Sequence, residues 1–188
     1  TTKFSTIQYD IWFCESYISQ FWGLPFEKVL SGVFKELDTF VNLRDTYFSV
    51  TNEFPMETHK GAIKLINALV DNYLVGIVTA SNKRLVIDDL TRLGFPVDRF
   101  FEIQTSEGTT VHKPDPKVFD PILQKLHNKG ICKQVTLYIG DSLTDYYAAR
   151  DAHISFLGIT HGTTSQDEFK RAGANSISSF IKLLKKYS

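Results

Sequence analysis

The chain has 188 residues, a length that suits one domain, or one domain with a small insert. Hydrophobic residues make up 43% and charged residues 22%; Lys plus Arg number 21, and Asp plus Glu also 21. With that balance no basic excess argues for nucleic acid and no acidic excess for a solvating tail, so any charged substrate is met by local rather than net charge.

The opening stretch TTKFSTIQYD lacks the apolar run of a signal peptide. No window approaches the roughly 18 consecutive apolar residues of a membrane span, so no membrane partner is expected. Cys14 and Cys132 are too few for a disulfide framework and have no metal-ligand spacing, which suits a reducing, cytoplasmic setting. The 15 Phe residues read as an aromatic-rich core.

Residues 9–13, YDIWF, are short, β-branched and aromatic, and are predicted to form a buried strand. Residues 15–50 read as helical, broken by GLP at 23–25, with Val29, Val33 and Leu37 four apart. From residue 54 the pattern is regular. A helix is expected over 54–72, and the apolar run YLVGIVTA (73–80) reads as a strand buried on both faces. Then come a helix over 82–94 ending at Gly94, a strand over 100–106, a helix over 115–130 and a strand over 135–141. A helix over 143–154, a strand over 155–160 and a closing helix within 166–188 complete the chain.

Strands alternating with helices define an α/β fold: a doubly wound, Rossmann-like parallel sheet with helices on both faces. Ligands of such sheets sit beyond the carboxyl ends of the strands. Three strand ends carry candidates. Thr79, Ala80 and Ser81 join a hydroxyl to backbone N–H groups opening a helix, which suits an anion; ordinary capping by Ser81 or Asn82 explains them too. In HKPDP (112–116), Lys113 is followed by prolines flanking Asp115, a rigid presentation that suits charge neutralisation, while a solvated lysine is the plainer alternative. In GDSLTD, Asp141 lies at a strand tip and Asp145 one helical turn on, a pair suited to Mg²⁺ held largely through water; an acidic first turn complementing the helix dipole is the alternative.

These stretches resemble the motifs of the haloacid dehalogenase superfamily, most closely its phosphatase branch with a helical cap, the phosphoglycolate- and sugar-phosphatase type. GIVTASNK resembles the second motif, HKPDP the third and YIGDSLTDYYAARDA the fourth, in family order. The resemblance implies residues 1–14 and 54–188 as core and 15–53 as a short helical cap. It also implies a phosphomonoesterase of a small phosphorylated metabolite, working through an aspartyl phosphate with Mg²⁺. Thr79, with Ala80 and Ser81, would bind the phosphoryl group, Lys113 would steady it, and Asp141 and Asp145 would serve the metal. Lys28, Lys35 and Arg44 are cap candidates for a second anionic group, though solvated charges read as simply.

The first motif of that family, Asp-x-Asp-Gly-Thr-Leu, has no clean counterpart in TIQYDIWFCES (6–16). With Asp10 as nucleophile, Trp12 stands at the acid/base position. With Glu15-Ser16 as the family's acid-Ser, Gln8 falls at the nucleophile. In the third and favoured register YDIWF is the strand itself and runs directly into CES without a catalytic loop. A non-catalytic relative that binds phosphate or a partner therefore competes with the phosphatase reading. A dehalogenase fits less well, because GDSLTD carries two metal-type carboxylates. The five histidines show no metal spacing, and His112 alone is expected near the site.

Overall fold

The computed structural model describes residues 2–6, 9–13, 21, 24, 26–34, 37–53 and 55–187. The chain divides into two compact units, Thr1–Glu57 and Thr58–Ser188.

In the first unit, strands β1 (Thr2–Thr6) and β2 (Tyr9–Phe13) pair antiparallel, in a register that sets Thr2 opposite Phe13 and Thr6 opposite Tyr9. YDIWF is thus a strand as expected, and its partner Thr2–Thr6 was not read from the sequence. Helices α1 (Phe26–Val33) and α2 (Phe40–Glu53) follow. Their apolar faces bury Leu30, Val33 and Leu43, and Phe26 packs edge-on to Tyr47 with ring centroids 5.0 Å apart. Helix α1 ends at Val33, so Leu37 is off the helical stripe and exposed. Asp38 accepts from the backbone N–H of Thr39 (2.7 Å) and from Asn42 Nδ2 (2.8 Å), holding the start of α2.

The second unit is a run of β-α-β crossovers. Helix α3 (Ala62–Val70) comes first, then β3 (Gly76–Val78), α4 (Lys83–Arg92), β4 (Glu102–Gln104), α5 (Asp120–His127), β5 (Leu137–Gly140), α6 (Leu143–Asp151), β6 (Ser155–Ile159), α7 (Gln166–Ala172), β7 (Ser176–Ile177) and α8 (Phe180–Tyr187). β3 pairs parallel with β4, and β5, β6 and β7 pair parallel in that order. The expected parallel α/β architecture is present, with shorter elements than the hydrophobic runs suggested.

The differences have local causes. Residues 55–59 are non-helical, and α3 starts only after Gly61, whose φ of 89° is left-handed. A side chain at 61 would also meet Ile181 of α8 at 2.9 Å. The predicted helix 115–130 begins as a 3₁₀ turn, Pro116–Phe119, capped by the Asp115 carboxylate, before α5 takes over. Strand β7 and helix α7 went unread because two strand residues carry no periodicity. Helix α7 is bounded by a Ser165–Glu168 capping box and by left-handed Gly173.

The core beneath the site is Val118, Phe119, Ala148, Ala149 and Ile154, with Val78, Ile122, Tyr138 and Phe156 against it. Ala148 and Ala149 are wholly buried, and their small side chains let α6 lie close on the strands. Each such burial removes apolar area from water at about 25 cal/mol per Å². The outcome is a rigid base under the carboxyl ends of β3 and β5.

Candidate functional site

The second unit brings the strand-end candidates together through one buried polar cluster. Lys113 Nζ donates to Asp145 Oδ1 at 2.6 Å and to the hydroxyl of Tyr138 at 2.9 Å. The Tyr138 hydroxyl also lies 3.1 Å from Asp145 Oδ1 and 3.3 Å from the carbonyl of Val78, the last residue of β3. Three segments distant in sequence thereby share one set of hydrogen bonds: the end of β3, the HKPDP loop and the β5–α6 junction.

Asp145 is held from both sides. Its Oδ2 accepts from the N–H of Asp141 (3.1 Å), the N–H of Ser142 (3.1 Å) and the Ser142 hydroxyl (2.7 Å). The Asp145 N–H returns a bond to Ser142 Oγ, completing a capping box at the start of α6. Such caps are worth about 1 kcal/mol each. The carboxylate folds back over β5, where a side chain at Gly140 would come within 2.5 Å of its Cβ.

Asp141 differs from its neighbour. It is exposed at the tip of β5 and lies against Gly162 in the loop after β6. A Cβ on Gly162 would fall 1.8 Å from Asp141 Oδ2, so the carboxylate occupies space that only glycine leaves open.

The charges order themselves accordingly. Burial alone would pull the Lys113 ammonium down, but Tyr138 and the Asp145 carboxylate hold it above the ordinary lysine range. Burial would raise Asp145; the Lys113 charge and the hydrogen bonds from Lys113, Ser142 and Tyr138 win, and its carboxyl sits low. Burial pushes the Tyr138 phenol up to about 12, so it stays protonated at neutral pH. Asp141 is raised, first by the partial desolvation of its carboxyl against the strand tip and the Gly162 loop and then by the negative charge of Asp145.

At the end of β3, the Thr79 N–H continues the ladder to Gln104 O at 3.0 Å. Thr79 Oγ1 accepts from the N–H of Ser81 at 3.1 Å, so the hydroxyl proton is available to a further acceptor. The N-terminus of α4 is filled by the protein's own groups. Asn82 caps the N–H of Arg84, and the Glu107 carboxylate accepts from Lys83 N (3.1 Å) and Asn82 Nδ2 (2.6 Å). The capping reading of TASN is thus met by Asn82, with Glu107 on the same helix start, while Thr79 keeps a hydroxyl proton not used within the turn.

Lys113 is not a solvated lysine: its side chain is 14% exposed, and that of Asp145 is 4%. The Lys113–Pro114 peptide is cis. Asp115, between the two prolines, caps the 3₁₀ turn. Three contributors were missed in the sequence. Tyr138 reads there as one more core aromatic. Ser142 was hidden between the acids, although its spacing to Asp145 is that of a capping box. Gly162 gives no local signal of the carboxylate it faces. Arg44 of the first unit pairs with Asp45 at 2.8 Å, Lys28 is exposed, and Lys35 lies outside the described residues. Gln8, Trp12, Cys14, Glu15 and Ser16, on which the three registers of the first motif turn, have no described side chains, and of the Asp10 register only the strand backbone is described.

The fold and the site define a parallel α/β domain with its polar groups gathered at the carboxyl ends of the strands. A family model described as haloacid dehalogenase-like hydrolase matches residues 4–159, and the chain belongs to that family of enzymes. The phosphoglycolate phosphatase of Nitrosococcus oceani is 36% identical over 91 residues, 48% of this chain; the match spans 38% of that relative's length. A solved Bacteroides fragilis protein named for the haloacid dehalogenase-like hydrolases superposes with a TM-score of 0.71 at 26% identity, covering 91% of this chain and 83% of its own. A Haemophilus somnus 129pt protein named as a predicted phosphoglycolate phosphatase reaches a TM-score of 0.74 at 20% identity, over 94% and 83% of the two chains, and speaks for the fold.

Proposed function

We propose that this protein is a Mg²⁺-dependent phosphomonoesterase of a small phosphorylated metabolite. The observation that carries the reading is the shared network of Lys113, Tyr138 and Asp145, which gathers the ends of β3 and β5 around one buried ammonium. Phosphoryl transfer asks a protein chiefly for positioning and charge neutralisation. In this reading the Thr79 hydroxyl and the Ala80 backbone take phosphoryl oxygens, the Ser81 N–H orients that hydroxyl, and Lys113 offsets the charge.

The residues fit a magnesium ion. Asp141 is an exposed hard oxygen donor whose ionisation is opposed by a neighbouring carboxylate, a conflict that a cation relieves. Among the described residues no group of three or more His, Cys, Asp or Glu converges. Mg²⁺ needs none, since it is bound through one or two carboxylates, several waters and substrate phosphate. Asp141 would hold the ion, and Asp145, committed to protein donors, would contribute by its charge. When bound, Mg²⁺ neutralises phosphoryl oxygens and orients the ester for displacement.

We also propose residues 1–14 and 54–188 as core and 15–53 as cap, the cap choosing the substrate. A cytoplasmic setting belongs to the same reading and rests on the cysteine count.

A second reading is favoured by one specific observation: TIQYDIWFCES contains a single aspartate, Asp10, inside strand β2. An aspartyl-phosphate route needs an aspartate nucleophile and, two residues on, an acid/base. Without them the protein would bind phosphate or a partner and not turn over.

Two measurements decide between the readings. The intact mass of the natural protein is compared with the 21.4 kDa of this sequence. Phosphate release from p-nitrophenyl phosphate is followed with and without Mg²⁺, with Asp141→Asn as control. A heavier mass and Mg²⁺-dependent release support the phosphatase. A matching mass with phosphate binding and no release supports the binding protein.

A further inference from the structure

We infer that Tyr138 is a positioning residue of this site: its hydroxyl fixes the Lys113 ammonium and ties the end of β3 to β5. The kinetic consequence rests on the phosphatase reading; the positioning itself does not.

The hydrogen bonds leave little choice of direction. An ammonium only donates, so the phenol oxygen accepts from Lys113. The single phenol proton then goes to Asp145 Oδ1 at 3.1 Å or to Val78 O at 3.3 Å, both acceptors only. A buried hydroxyl is costly unless it is hydrogen-bonded, and this one has three partners on three segments. Phenylalanine would fill the same apolar space without any of them.

The ring itself is locked. It packs edge-on to Phe119 with centroids 4.8 Å apart and lies 6.3 Å from Phe156. Lys113 Nζ lies 5.5 Å from its centroid. A lysine stem is four flexible carbons carrying a point charge. Here a rigid phenol and Asp145 confine that charge from two directions. Val78 is bonded directly to Thr79, so the same phenol touches the peptide that leads into the proposed phosphoryl-binding tip. Tyr138 thus spans from the hydroxyl-bearing strand end to the acid-bearing one, with Lys113 between them.

The test uses the full chain and Tyr138→Phe. The first readout is proton exchange of the Lys113 ammonium by ¹⁵N-detected NMR, the signal being assigned by its loss in Lys113→Met. In the parent this ammonium is expected to exchange slowly, and in Tyr138→Phe roughly tenfold faster, because one of its two side-chain acceptors is gone. The second readout is kcat against KM. Misplacing a charge by about 1 Å costs up to about a hundredfold in rate, so kcat is expected to fall between about tenfold and a hundredfold, with KM within about threefold. A merely structural tyrosine would lower the melting temperature and leave both readouts alone well below it.

Unchanged ammonium exchange in folded Tyr138→Phe overturns the inference. Should the parent protein show no turnover at all, the phosphatase reading fails while the exchange measurement still decides this one. If Tyr138→Phe does not fold, 3-fluorotyrosine placed at 138 keeps the packing and, remaining protonated at neutral pH, weakens the oxygen as an acceptor. Faster exchange there supports the role, and unchanged exchange overturns it.

Discussion

Lys113 and Asp145 form a 2.6 Å ion pair, 32 residues apart in sequence, that joins the HKPDP loop to the first turn of α6. Their remaining partners are unequal. Asp145 is also held by the N–H groups of Asp141 and Ser142, the Ser142 hydroxyl and Tyr138. The other side-chain acceptor of Lys113 is the neutral phenol of Tyr138. Removing one partner of a buried pair leaves an uncompensated charge and costs about 3–5 kcal/mol. Asp145→Ala is therefore expected to destabilise by that amount, since it strands Lys113 and removes the carboxylate half of the α6 capping box. Lys113→Met leaves Asp145 well solvated by the remaining donors, and should cost clearly less. Urea unfolding of the two variants side by side checks the order; a reversed order would falsify the assignment of Asp145 as the better-supported partner.

The same pair sets a pH plateau. Asp145 has a lowered folded pKa, so its contribution is fully present above the unfolded carboxyl value of about 3.9 and is lost as pH falls through its lower folded value. Lys113 has a raised folded pKa. Its contribution is fully present below the unfolded value of about 10.4 and disappears as pH rises through its higher folded value. Stability from the pair is thus expected to be flat from about pH 4 to about pH 10. Melting temperatures of the parent and of a Lys113→Met/Asp145→Asn double variant, taken across pH, should converge at both extremes and differ most between them.

Asp141 works in the opposite sense. Its folded pKa is raised, so protonation favours the fold, and that advantage is lost as pH rises through the folded value. At neutral pH the ionised carboxylate stands against Asp145 at a small cost. Asp141→Asn is expected to stabilise the metal-free protein, by on the order of 0.5 kcal/mol given the solvent screening of an exposed group. It is also expected to remove the stabilisation that Mg²⁺ gives the parent. Thermal melts with and without Mg²⁺ test both halves; a less stable metal-free variant would contradict the reading of Asp141 as a strained, cation-seeking acid.

Much of this site was legible in the sequence, for identifiable reasons. Thr79 and Asp141 directly follow β3 and β5, Asp145 sits in the helix turn after β5, and Lys113 lies in the long loop after β4; the carboxyl-end side of a parallel sheet is where ligands bind. The apolar runs before Thr79 and Asp141 were strong enough to place those ends. What stayed hidden depends on distance across the fold. The two carboxylates look alike in GDSLTD, yet one is buried in a capping box and one is exposed, because Gly140 admits Asp145 and Gly162 admits Asp141. Tyr138 could not be told from a core aromatic, since the Val78 carbonyl that helps make it more than that lies 60 residues away. Hairpin partner β1 escaped notice because TKFST carries alternation too weak to read.

Gly162 makes the last prediction. It has no catalytic group, and its φ is not in the left-handed region that favours glycine. Its role lies in the room it leaves: a methyl group there would fall 1.8 Å from Asp141 Oδ2 and 2.4 Å from its Cγ. Either the loop after β6 or the Asp141 side chain must move. Overpacking of this kind costs about 1–3 kcal/mol in a dense interior, and less where an exposed loop can shift. Under the proposed function the carboxylate has less latitude, because it would hold an ion at a fixed place beside the strand end. Gly162→Ala is therefore expected to remain folded, with a melting temperature within a few degrees of the parent. Its Mg²⁺ requirement for phosphate release should rise by about tenfold or more, the size of a small misplacement at a site. Gly173→Ala is the counterpart, since it strains the left-handed C-cap of α7 without crowding Asp141 and should lower stability without altering the Mg²⁺ requirement. Release assays over a range of Mg²⁺ concentrations, read beside thermal melts, separate the two. Equal Mg²⁺ dependence in Gly162→Ala and the parent would show that Asp141 does not need the space this glycine provides.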